Sequence, residues 1–162
     1  MSTYANRGMF LENMVTQSNV TYKIRNIALI TKIATPIQYN KRTGKAFFKE
    51  KSTVDFTGVI NNGPFIAFDA KQIKGKSFPF AKIEPHQIEY MQTIQAMGHI
   101  GFVLIYFSDL DECYRVDIDR FTEYKETNDR KSIPVKWCQE NATRIKSGYG
   151  LPFDYLKGLI NE

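Results

Sequence analysis

The chain has 162 residues, of which 43% are hydrophobic and 24% charged, with a formal net charge of +5. That length suits one packed core and excludes two comfortable domains. No apolar run approaches the ~20 residues of a membrane-spanning helix, and the basic pI of about 9.1 favours an anionic partner, a weak indication taken alone.

Leu11, Met14, Val15, Ser18 and Tyr22 recur at helical spacing and predict a first helix over about 8–22. Glu12 stands about 100° from Leu11, at the edge of that stripe. A strand is predicted over 27–33, ended by Pro36, and a polar, basic stretch follows at 39–45. Two strand-like runs, 53–60 and 65–72, flank Asn61-Asn62-Gly63. Asn and Gly tolerate positive φ, so this is a strong hairpin signal. A second helix opens near Pro85 and closes at Gly98, a suitable residue just past a helix end. Residues 100–107 read as a buried strand, and 112–117 pair with it. A short helix near Asp119, one over about 134–146 and a last one from about Pro152 complete the chain. There is no internal repeat, low-complexity segment or linker, so the reading is one domain over 1–162. The order of elements predicts α/β architecture, with a mixed central sheet flanked by helices.

Cys113 and Cys138 lie far apart without metal-ligand spacing, and are expected as free thiols in a reducing cytoplasm. The two histidines, His86 and His99, provide no zinc set. Residues 1–7 lack the layout of a secretory leader, which also fits a cytoplasmic location.

The chemistry concentrates in the hairpin. Alternation puts Thr53, Asp55 and Thr57 on one face of their strand, and Phe65, Ala67, Asp69 and Lys71 on one face of the next. If the hairpin is symmetric about Asn62, Asp55 lies opposite Asp69. Directly opposed Cβ atoms are about 4.5–5.5 Å apart, so the like charges repel. A hard divalent cation between them removes the conflict. Lys71 points the same way, and could orient or deprotonate a water or stabilise charge on a phosphate. An isolated Asp-x-Lys is a weak motif, and a solvated ion pair is its ordinary reading. The apolar neighbours Val54, Phe56, Phe65, Ile66, Ala67 and Phe68 strengthen the functional one, because bare carboxylates are costly there. On the second helix, Gln87, Tyr90, Met91, Ile94 and Met97 share a face. Gln87 is either a core glutamine bonded to backbone or one that reaches the catalytic face of the sheet. His86 reads as a helix-start or surface residue rather than a ligand.

Asp55, then Asp69-Ala70-Lys71, then a helix bearing Gln87, resembles the PD-(D/E)xK nuclease core. Further segments resemble the RecU family of Holliday-junction resolvases in particular. They are Asn6-Arg7-Gly8-Met9 with Leu11-Glu12, the run Ser52 to Val59, Phe68-Asp69-Ala70-Lys71, Ser77-Phe78-Pro79, His86-Gln87-Ile88-Glu89, Arg130-Lys131-Ser132-Ile133, and Ser147-Gly148-Tyr149-Gly150. They follow the family order and span nearly the whole chain.

The resemblance implies a restriction-endonuclease-like fold with a short basic protrusion, or stalk, at about 38–48. It implies a Mg²⁺-dependent endonuclease, with Mn²⁺ able to substitute, that resolves four-way DNA junctions by paired symmetric nicks in recombination and repair. A homodimer is expected, because two sites related by a two-fold axis suit two strands of like polarity. Asp55 and Asp69 would bind the metal, with the Ala70 carbonyl as a further ligand. Glu12 would complete the acidic site, Lys71 would serve the attacking water, and Gln87 would be an accessory active-site residue. Lys41, Arg42, Lys45, Lys49 and Lys51 flank Phe47 and Phe48 in the stalk region. Cations there would contact phosphates and an aromatic could stack on exposed bases; a solvated basic loop is the plainer reading. Arg7, Lys74, Lys76, Arg144 and Lys146 are further phosphate candidates, although 146–150 also reads as a helix terminus and turn.

Three features depart from the family pattern. Asp69 stands where the family usually has Glu, the segment 38–48 is short for a RecU protrusion, and the N-terminal extension of some members is nearly absent, as in a compact, phage-type member. Two other readings remain. One is a PD-(D/E)xK endonuclease acting on duplex DNA. The other is a non-catalytic junction-binding recombination protein, against which the intact set Glu12, Asp55, Asp69 and Lys71 argues.

Overall fold

The computed structural model describes residues 9–35, 37–48 and 53–160. The chain begins with α1 (Met9–Ile24), β1 (Ala28–Lys32), β2 (Ile37–Tyr39), β3 (Ala46–Phe48), β4 (Phe56–Ile60), β5 (Phe65–Ile73) and β6 (Ser77–Pro79). It continues with α2 (Pro85–Ala96), β7 (Ile100–Phe107), β8 (Glu112–Asp117), α3 (Ile118–Thr127), β9 (Ser132–Pro134), α4 (Val135–Asn141) and β10 (Thr143–Ile145).

β7 is buried from Gly101 to Phe107. A strand covered on both faces carries a continuous apolar run instead of an alternating one. β5 pairs parallel to one edge of β7, and β8 pairs antiparallel to the other. The full sheet has the order β1-β4-β5-β7-β8-β10. On one face lie α1 and the C-terminal segment, burying Leu11, Val15, Tyr155 and Leu156 against Phe56, Phe68 and Phe102. On the other, Ile88 and Met91 of α2 and Phe121 of α3 pack with Ala67, Val103 and Ile105. The C-terminal segment is tied to α1 by polar bonds as well. The Tyr22 hydroxyl donates to Asp154 at 2.8 Å, and the Phe153 N–H donates to the Ser18 hydroxyl at 3.1 Å.

α1, α2, β7 and β8 lie where the sequence predicts them, and the sheet is mixed, with helices on both sides. Other expectations need correction. The helix expected over 134–146 stops at Asn141. Residues 143–145 instead pair with 113–115 of β8, where the β-branched Thr143 and Ile145 favour a strand. Among the described residues no helix forms after Pro152; turns occupy 155–159, and Gly158 has φ +80°. The helix near Asp119 is longer than expected, with ten residues. Its N-terminus is capped by the Asp117 carboxylate, which accepts from the N–H groups of Asp119 and Arg120. The strand expected from residue 53 begins at Phe56. Met97, assigned to the apolar face of α2, sits past its last turn and is 69% exposed. The two-stranded sheets β2–β3 and β6–β9 were not foreseen, since three-residue strands carry too little periodicity. Both cysteines are buried free thiols. Among the described residues no helix is long and apolar enough to cross a membrane.

Two small side chains set how closely α2 approaches the sheet. Ala67 and Gly101 are neighbours in the β5–β7 register. A Cβ on Gly101 would lie 2.6 Å from the Met91 carbonyl oxygen. Gly101→Ala is therefore expected to lower stability by about 1–3 kcal/mol through overpacking. Urea unfolding checks this; an unchanged midpoint would mean that α2 yields without cost.

Candidate active site

The β4–β5 hairpin has the register its symmetry predicts, with Phe56 facing Phe68, Thr57 facing Ala67 and Val59 facing Phe65. Asn62 takes φ +51° in the turn. One step beyond Phe56–Phe68, the two aspartates continue the pairing with their side chains. The Asp55 N–H donates to Asp69 Oδ1 at 2.8 Å, and the Ala70 N–H donates to Asp55 Oδ2 at 3.0 Å. The carboxylates are thus fastened by backbone donors of the opposite strand. Both lie on the α2 face of the sheet, because Phe56, Phe68 and Ala70 take the α1 face.

Asp69 is fully buried, and its Oδ2 has no hydrogen-bond partner among the described residues. Burial, followed by the adjacent Asp55 charge, pushes its carboxyl up to about 7. Lys71 donates to Asp55 Oδ2 at 3.1 Å. Burial disfavours its ammonium, but Asp55 and Asp69 outweigh that and hold its pKa above the ordinary value. Lys71 therefore stays protonated at neutral pH, which suits orienting a water and offsetting phosphate charge better than proton abstraction. Both readings of Gln87 are realised at once. Its Oε1 accepts the Glu84 N–H at 3.0 Å, completing a capping box at the start of α2. Its Nε2 reaches Asp69 Oδ1 at 3.4 Å. His86 sits at the helix start with Nδ1 3.2 Å from a Glu84 oxygen.

Glu12 does not join the aspartates. It lies on the α1 side, paired at 2.7 Å with Lys32, although its charge contributes to the field at Lys71. Among the described residues no three Asp, Glu, His or Cys side chains gather closely enough to hold a metal. The sequence reading missed Lys32, because nothing in the spacing of residues 12 and 32 brings them together. What the site offers is two adjacent carboxyl groups, acceptor-only once ionised, one with a buried oxygen unpartnered among the described residues. That donor set fits a hard divalent cation.

Lys41, Arg42 and Lys45 are exposed in the β2–β3 hairpin, whose turn is closed by Asn40 Oδ1 accepting the Arg42 N–H at 2.9 Å. Phe47 is 47% exposed and Tyr39 73% exposed on the same hairpin. Lys74 and Lys76 are exposed just beyond the end of β5 that carries Lys71. Arg7, Lys49 and Lys51 lie outside the described residues.

The architecture defines a class. A solved structure of Archaeoglobus fulgidus Hjc, a Holliday junction resolvase, matches 85% of this chain and 95% of that one with a TM-score of 0.53 at 11% identity. The chain shares this restriction-endonuclease-like fold. Its family follows from sequence. The model for RecU, recombination protein U, matches residues 6–161. The Holliday junction resolvase RecU of Bacillus subtilis is 39% identical, over 95% of this chain and 80% of the relative. That of Shouchella clausii is 37% identical, over 97% and 81%. The chain belongs to the RecU family.

The raised Asp69 pKa has a consequence for stability in metal-free buffer. Its folded value lies above the ordinary one of 3.8. Its contribution is therefore fully present below that ordinary value and is lost as pH rises through about 7. Urea unfolding in EDTA is expected to show wild type losing stability relative to Asp69→Asn between pH 4 and 7. Parallel profiles would show that Asp69 is not held in its protonated form.

Proposed function

We propose that this chain is a metal-dependent endodeoxyribonuclease that resolves four-way DNA junctions by paired, symmetric nicks. Membership of the RecU family supports the substrate. The observation that carries the catalytic reading is the close pairing of half-buried Asp55 with fully buried Asp69, whose Oδ2 is unpartnered among the described residues. A divalent cation between the carboxylates would offset their repulsion, and the pair without one is a standing cost.

In this proposal Asp55 and Asp69 hold the ion, Mg²⁺ with Mn²⁺ as a substitute, and the Ala70 carbonyl is a further ligand. Glu12 completes the acidic set on leaving Lys32. A bound divalent cation supplies charge neutralisation at the phosphate and at the leaving oxygen. Lys71 orients the attacking water and offsets negative charge as it develops on the phosphate. Gln87 fixes Asp69 between the helix start and the sheet. Lys41, Arg42, Lys45 and Phe47 meet the junction on the β2–β3 hairpin, and Lys74 and Lys76 hold phosphates beside the scissile bond, with Arg7, Lys49 and Lys51 as further phosphate candidates. A two-fold dimer in the cytoplasm would present two such sites to strands of like polarity. Asp69 in place of the family Glu shortens one ligand arm by a methylene and keeps the same acceptor chemistry.

The test is cleavage of a labelled four-way junction beside linear duplex of matched sequence, in Mg²⁺ and in EDTA. Symmetric junction nicks that vanish in EDTA and in Asp69→Asn are expected. Lys71→Ala is expected to slow single-turnover cleavage by about 10²–10³-fold. Gln87→Ala should slow it by about 10–100-fold, as for residues that orient metal ligands. Equal cutting of duplex would assign a general endonuclease instead. Binding without cutting in either metal would leave a junction-binding protein.

A further inference from the structure

A second basic concavity lies outside the carboxylate site, between the end of α1 and the segment 143–160. It is a cavity of about 500 Å³ whose lining includes Arg25, Arg144, Lys146, Tyr149, Asp154 and Lys157. Its charges are unbalanced. Asp154 already accepts from the Tyr22 hydroxyl at 2.8 Å. Arg144 lies 3.8 Å from Glu112. Among the described residues, neither Lys146 nor Lys157 has a carboxylate within salt-bridge reach, and both are exposed.

The loop that forms one wall is held firmly. Gly148 and Leu151 exchange backbone bonds of 3.0 and 2.9 Å, and the Arg25 guanidinium donates to the Tyr149 carbonyl. Tyr149 takes φ +50°, a conformation bulky residues rarely adopt, yet its side chain is 90% exposed. No packing accounts for an aromatic presented in this way beside unpaired cations.

Its position separates it from the scissile site. The Asn61 N–H donates to the Ile27 carbonyl at 2.8 Å, which places the α1–β1 connection at the turn end of the β4–β5 hairpin. Asp55 is at the other end, six strand residues or roughly 20 Å away along the strand, and it faces the α2 side of the sheet, whereas Tyr22 and Leu151 of the pocket belong to the α1 side.

We propose that the Arg25–Lys146–Tyr149–Lys157 pocket binds backbone phosphates of a duplex arm away from the bond being cut. The assignment rests on the DNA-cleaving reading above and adds a second grip to it. Separate cations on two chain segments, open to solvent beside an aromatic, suit a continuous phosphate backbone. A lysine that neutralises a phosphate displaces counterions, so each contact adds about 0.9 to the slope of log affinity against log salt.

The experiment compares wild type with Lys146→Ala/Lys157→Ala, both checked for equal thermal unfolding. Junction affinity is measured across a KCl series in Ca²⁺, and single-turnover cleavage at saturating enzyme in Mg²⁺. The double variant is expected to bind roughly tenfold more weakly near 0.1 M KCl, with a slope shallower by about 1.8. Its cleavage rate at saturation should fall far less than its affinity. Unchanged affinity and slope, while wild type binds and cuts, would overturn the second grip alone. A wild type that neither binds nor cuts the junction would overturn the functional reading and this inference together. Protection of wild type but not the variant by inorganic phosphate, with an unchanged slope, would assign a small-anion site instead.

Discussion

Asp55 and Asp69 are held side by side where two negative charges should push the strands apart. Each carboxylate accepts a backbone N–H from the opposite strand, and Lys71 adds one compensating charge. Among the described residues these contacts leave Asp69 Oδ2 without a donor, so the conflict is reduced without being abolished. Burial, and after it the Asp55 charge, leaves Asp69 with a carboxyl raised to about 7. A cation would complete what the hydrogen bonds begin.

The surrounding architecture keeps that pair from relaxing. β5 is covered by α1 on one face and α2 on the other, so neither aspartate can turn its strand toward solvent. Phe56 and Phe68 stack 5.0 Å apart directly behind the pair, and Phe68 stacks on Phe102 at 4.6 Å. Because strand side chains alternate, the same two residues that seat these rings in the core fix the neighbouring aspartates on the α2 face. On that face the close approach of α2 at Gly101 brings Gln87 to Asp69. The polar site is thus a by-product of apolar packing on both sides of one strand pair.

Much of this is legible in the sequence. The hairpin register follows from Asn61-Asn62-Gly63 and strict alternation, and β7 follows from an unbroken apolar run. The limits of α2 follow from Pro85 and Gly98. Gln87 stands out as a polar residue on an apolar stripe. What was not legible depends on contacts distant in sequence. The Glu12–Lys32 pair joins a helix to an edge strand, so a position at the stripe edge did not reveal that Glu12 would be engaged elsewhere. The strand at 143–145 exists because β8 offers an open edge, and that overrides any helical tendency of the segment. The C-terminal turns likewise take their form from Tyr22, Ser18 and Asn19 of α1, more than 130 positions away.

The central claim is that a carboxylate pair whose buried member, Asp69, retains its proton in the absence of metal is completed by a divalent cation. Calorimetric titration of Mn²⁺ at pH 6, in two buffers of different ionisation heat, tests it most directly. With Asp69 titrating near 7, binding must expel its proton, so the account predicts release of about one proton per protein. Binding without proton release, or no binding at all, would contradict it.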